Sequence, residues 1–244
     1  MDRKVGAMKH KIILFAGILL VLLTSLAYSQ VVVFDNYEST YTYEDGYIEV
    51  NRVMRLKNVG SNPIIPGEIH FRIYSMEGNS PKGPEITGLR IYDNKDVTIE
   101  SRVAQADDST KIIFTIWSPL LPTFFKDIYM TYKVPFKPAG VLFYELDIPP
   151  EETTISIREK STSLMLPSKY HVTYAPEALV ASEGNLRKVQ QESLTGNFLV
   201  EYSRIPIPTK NIRGSVIFWG MLIVVLSLTL LASRIRAKRK KMPF

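Results

Sequence analysis

Through the middle of the chain apolar and polar residues alternate with a period of two, and two unbroken apolar runs stand near the ends. Tyr47 to Lys57 is the clearest alternation. Ile48, Val50, Met54 and Leu56 fall on one parity, Glu49, Asn51, Arg55 and Lys57 on the other, and only Arg52 and Val53 break it. That is the pattern of a strand buried on one face. Glu68 to Tyr74 repeats it with Ile69, Phe71 and Ile73 inward. Further strands are predicted over Val97–Val103, Lys111–Trp117, Ile128–Val134, Val141–Ile148, Thr153–Glu159, Lys169–Tyr174 and Phe198–Ile205. Turn-forming clusters separate them, among them Asn58 to Pro63, Asn79 to Pro84 and Asp93 to Asp96. Glu183 to Glu192 reads as a short helix or another hairpin.

Many short strands punctuated by Pro and Gly predict an all-β fold, an immunoglobulin-like β-sandwich over residues 30–137. A second, smaller β unit is expected over residues 138–208, with Pro135 to Gly140 as the junction. The stretch Leu56-Lys57-Asn58-Val59-Gly60, followed by Pro63-Ile64, resembles loops in immunoglobulin-like domains of prokaryotic surface proteins.

The end segments carry a different pattern. Arg3, Lys4, Lys9 and Lys11 precede the apolar run Ile12 to Leu23, and small residues follow at Ala27 and Ser29. This three-part arrangement predicts a secretory signal over residues 1–29, with translation starting at Met1 or Met8. Near the other end, residues 216–233 are uncharged and almost wholly apolar, long enough to predict one C-terminal transmembrane helix after a tether at 209–215. Trp219 would sit at its outer interface. The basic tail 234–244, with Arg234, Arg236, Lys238, Arg239, Lys240 and Lys241, would hold the cytoplasmic side. The expectation is therefore a single-pass protein of the cell membrane, its N-terminal domain outside and its tail cytoplasmic.

Charge then changes meaning. The whole chain is +6, yet residues 30–209 carry 18 Lys and Arg against 23 Asp and Glu, a net of −5. A mildly acidic body disfavours phosphate backbones, so no nucleic-acid partner is expected. The chain has no cysteine, which excludes thiol catalysis and thiolate metal sites and points to a prokaryotic origin.

No catalytic, cofactor or metal constellation stands out, and no cofactor is expected. By strand parity His70 and His171 both face solvent. The carboxylate pairs Asp107-Asp108 and Glu151-Glu152, and the turn Asp93 to Asp96, are weak calcium candidates, because hairpin chemistry explains them without a ligand. Two features are better suited to binding. One is the Pro-bracketed apolar connection holding Leu120, Leu121, Phe124 and Phe125: exposed it would seek a partner, buried it would cap the core, and the buried reading is favoured. The other is the row Tyr37, Tyr41 and Tyr43, with Tyr47, which could stack on a ligand or pair across strands.

The expected function is a non-catalytic binding or accessory subunit of a cell-envelope membrane complex, with the lipid bilayer and another membrane or envelope protein as partners. The alternatives are an envelope hydrolase or glycan-modifying enzyme using carboxylates, and a surface adhesin or sensor.

Overall fold

The computed structural model describes residues 31–76, 82–138, 140, 143–192, 196–206 and 212–239, with side chains in the last segment from 218 to 233. The fold is all-β. Strands β1 (Val32–Glu44) and β2 (Tyr47–Asn58) form a long antiparallel hairpin. Its turn is Asp45-Gly46, where Gly46 at φ 92° takes a conformation that L side chains resist. Beyond β2 lie β7 (Phe125–Pro135) and β4 (Thr87–Asp93). Beyond β1 lie β10 (Lys160–Pro167), β13 (Leu186–Glu192) and β12 (Leu179–Glu183). The result is a seven-stranded sheet in the order β12-β13-β10-β1-β2-β7-β4, antiparallel except for the parallel pair β1 and β10.

Two smaller sheets accompany it. One has the order β5 (Ser101–Gln105), β6 (Ser109–Ile116), β3 (Gly67–Tyr74) and β9 (Glu152–Thr153). The other has β11 (His171–Tyr174), β14 (Phe198–Ser203) and β8 (Phe143–Ile148). Ring contacts show how they cover the large sheet. Phe34 and Tyr37 of β1 meet Phe71 of β3, with ring centres 5.8 and 6.2 Å apart. Tyr43, at the other end of β1, meets Tyr202 of β14 and Tyr170. One sheet therefore lies over the start of β1 and the other over its end, and all three share one core. A register shift at Asp35 makes this continuous: the extra residue turns Phe34 and Tyr37 to the same face despite their opposite parity.

Strands from both sides of the expected 137/138 boundary build the large sheet, since β10, β12 and β13 extend the sheet begun by β1 and β2. Residues 183–192 belong to the β12–β13 hairpin rather than to a helix. The expected strand at Thr153–Glu159 shrinks to β9 and one bridge between Phe34 and Ile157.

The C-terminal expectation is corrected. A helix, α1 (Ile212–Arg239), does form there. Among the described residues, however, no helix is long and apolar enough to cross a membrane. The single-pass membrane location, with Trp219 as its outer anchor, is therefore not supported. The side chains of the basic tail from Arg234 to Lys241, and the expected signal at 1–29, lie outside the described residues.

Candidate functional site

The alternation of β2 places Arg52 on the inner face of the large sheet, where it is 1% exposed. A lone guanidinium in such a place would be prohibitively costly, so it must find a counter-charge and hydrogen-bond acceptors. Glu151 supplies the charge. It follows Pro149-Pro150 on the segment that crosses from β8 to β9, between the two small sheets. Prolines suit such a crossing, because they hold the chain extended and have no N–H to leave unpaired. Arg52 Nη2 donates to Glu151 Oε1 and to the Tyr132 hydroxyl, and Nη1 lies 3.4 Å from Met130 Sδ. The Tyr41 hydroxyl donates to Glu151 Oε1 at 2.6 Å, and the Tyr37 hydroxyl donates to Oε2.

Burial pushes the Glu151 carboxyl up, but Arg52, Lys160 and the two tyrosine hydroxyls overcome that and hold it below the usual carboxylate range. Burial likewise raises the Tyr37 and Tyr41 phenols well above theirs. This network ties the crossing segment to β1, β2 and β7. Its chemistry is that of a structural peg, with every reacting group sealed from solvent.

The tyrosine row therefore splits by role. Tyr37 and Tyr41 clamp Glu151. Tyr43 packs with Phe136, Tyr170 and Tyr202 near the β1–β2 turn, where burial and the Tyr170 hydroxyl push its phenol up to about 12. None of these three is open to a ligand. Tyr47 lies on the outer face, with Lys133 Nζ 4.7 Å from its ring centre.

The apolar connection behaves differently from the favoured buried reading. Leu120 is buried, held by a two-way backbone bridge to Ile64. Leu121 is 47% exposed, Phe125 53% and Phe124 61%. Trp117, at the start of the same connection, is 70% exposed. Neighbouring loops add Ile65, Val59 and Val31. Backbone bonds gather these loops at one place: Thr123 N donates to Asn58 O, Asn58 N to Phe124 O, and Val59 N to Val31 O. Asn58 pins the junction further through its Nδ2, which donates to Asn62 O and Leu120 O. The start of β1, the end of β2 and the start of β7 thus form an apolar pole, opposite the pole that carries the β1–β2 turn. Sequence reading names Leu120 to Phe125 but misses Trp117, Ile65, Val59 and Val31; a tryptophan directly before Ser-Pro, where no strand continues, is the signal available.

The other nominated groups are dispersed. Asp93 accepts from the backbone of Lys95 and Val97 and pairs with Lys126 at 3.0 Å, which fixes its own turn. Glu152 pairs with Arg72 at 3.2 Å on the surface, and Asp108 accepts from the Ser109 hydroxyl. His70 lies 3.3 Å from Glu68, and His171 3.3 Å from Arg187. Among the described residues no three His, Cys, Asp or Glu side chains converge on a metal position.

No family model matches the chain, and no curated protein matches it. Solved structures do. A suspected nutrient-binding protein of Legionella pneumophila is 8% identical with a TM-score of 0.51, covering 71% of this chain and 67% of that one. An M1 zinc metallopeptidase of Deinococcus radiodurans is 9% identical with a TM-score of 0.42, covering 72% of this chain and 43% of that one. The first likeness speaks for the fold alone.

Proposed function

We propose that this protein is a non-catalytic binding module, an accessory subunit that docks on a partner protein through its apolar pole. The observation that carries this reading is the exposure of Trp117, Leu121, Phe124 and Phe125 together on one connection. Large rings and aliphatic chains grouped on loops, with charged neighbours such as Arg55 and Lys57 at the margin, have the composition of a protein interface core and its rim. Leaving them in water is unfavourable by roughly 1.5–3 kcal/mol each relative to full burial. A backbone that is pinned by Asn58 presents them in a fixed arrangement, which lowers the ordering cost of association.

The enzymatic alternative needs two carboxylates facing each other across a cleft. Glu151, Glu152, Asp93 and Asp108 instead occupy separate places, each engaged by a different partner.

Mild crosslinking followed by native purification tests the proposal. The wild-type chain should run in a complex larger than its own mass. A Trp117→Ser, Leu121→Ser, Phe124→Ser variant should keep its unfolding midpoint, since exposed substitutions change stability by about 0.5 kcal/mol or less, and should run alone. A wild-type protein that purifies only as a monomer sinks the reading.

A further inference from the structure

A second surface lies on the outer face of the seven-stranded sheet, away from the core and meeting the margin of the apolar pole only at Asp35 and Arg55. It is an open trough of about 830 Å³ spanning β1, β10 and β13. The register fixes its layout. Glu192, Ser161 and Glu38 form one row across the three strands, and Gln190, Ser163 and Thr40 form the next. Lys188 stands one row further on.

The charges separate along this direction once the internal ion pairs are set aside. Asp35 is taken up by Lys57 at 2.9 Å and Arg158 at 3.4 Å, and Arg55 by Asp127 at 2.8 Å. Lys160, which also lines the trough, sits on the inward parity with its charge set against Glu151. Glu38, Glu159 and Glu192 then stand at one end without an ion pair among the described residues, and Lys188 stands at the other. Between them the floor is neutral and hydrogen-bonding. Thr40 Oγ1 lies 3.1 Å from Ser163 Oγ, and Gln190 Nε2 donates to Ser161 Oγ at 3.2 Å.

No aromatic ring lines the trough and almost nothing apolar does, so neither sugar stacking nor burial of a greasy group is served. A polyanion would meet three carboxylates without an ion pair among the described residues, Glu38 of them accepting from Asn36 Nδ2 at 2.9 Å. What fits is a ligand that is positive at one end, negative at the other, and rich in amides between. Glu192 and Lys188 are four positions apart on β13, about 13 Å at 3.3 Å per residue. That is the span of about four extended peptide units. We propose that the trough binds short, small-side-chain peptides with free ends, the ammonium against Glu38 and Glu192 and the carboxylate towards Lys188.

Calorimetric titration of the full-length chain with tetra-alanine tests this, alongside its N-acetylated and C-amidated forms. Tetra-alanine should bind saturably, and acetylation should weaken it about fivefold, the worth of one exposed charge pair of about 1 kcal/mol. The Glu38→Gln, Glu192→Gln variant should bind the free and acetylated peptides alike, and Lys188→Gln should no longer distinguish the amidated one. All three are surface changes that leave the fold intact. No saturation at millimolar peptide, equal affinity for free and acetylated peptide in the wild type, or indifference to the charge variants would overturn the assignment. The apolar-pole variant should bind tetra-alanine unchanged, so failure of either reading is seen separately.

Discussion

Arg52 carries a full charge in the middle of a hydrophobic sheet face, and Glu151 answers it from a segment more than ninety residues away. Such a pair adds little net stability over apolar residues of equal size, because desolvation offsets the attraction. Breaking it is another matter. Glu151→Gln leaves the guanidinium buried without a counter-charge and should cost about 3–5 kcal/mol in urea unfolding. Arg52→Met with Glu151→Leu should recover more than half of that loss; full recovery is not expected, because the Tyr37 and Tyr41 hydroxyls lose their acceptor. A double variant as unstable as Glu151→Gln would contradict the account. The pH dependence has two limbs. A carboxyl held below its ordinary 4.5 contributes stability above that pH, lost as pH falls through the folded value. Phenols raised above 10 contribute stability below pH 10, lost as pH climbs beyond it. The unfolding midpoint should therefore be a plateau that falls on both sides, and Glu151→Gln should lower the plateau while flattening the acid limb. At this scale the sequence was half legible. Arg52 showed itself as a break in the alternation of β2, yet nothing local to it pointed to Glu151. The tyrosines of β1 had the right parity, but a phenol serves equally well in a core or on a surface, and only the distant acceptor decides which.

Among the elements, β1 has the most to hold together. It pairs with β2 and β10, and its inner residues touch both small sheets. At the far edge β12 pairs, among the described residues, only with β13, and all five of its residues are exposed, including Leu179 and Val180. Hydrogen exchange should rank these accordingly. The amides of β1 and β2 should open only with global unfolding, and those of β12 should exchange fastest among the strands. Equal protection in β12 and β1 would mean that the sheet order is wrong or that the edge is covered. Strands with clean alternation, β2, β3 and β7, were readable because one face is apolar and the other polar. Strand β10 was not. Its sequence puts Ser and Thr on both faces, so the period of two fades although Leu164 and Leu166 are wholly buried. Its parallel pairing with β1 is a long-range event that no local pattern encodes. The same gap hid the trough, whose rows exist only once β10 and β13 are set beside β1.

Taken whole, the molecule has two unlike poles. Along β1, thirteen residues or about 40 Å, the chain passes from the apolar loops to the turn where Tyr43, Tyr170 and Tyr202 pack. Strand β14 runs towards that second pole, with Arg204 just beyond its end, 5.8 and 5.9 Å from the Tyr144 and Tyr170 ring centres. The apolar pole is thus the end of β1 remote from the close of β14. All-β character was legible from period and punctuation; the sharing of one core by three sheets, and the exposure of the Trp117–Phe125 connection, were not, because each depends on which loops meet. A photo-reactive residue placed at position 124 in living cells, with one at position 183 on the opposite edge strand as control, tests the docking claim most directly. The account predicts one adduct of discrete mass at position 124, absent at 183 and lost when Trp117 and Leu121 become serine. No adduct at 124, or the same adducts at both positions, would contradict it.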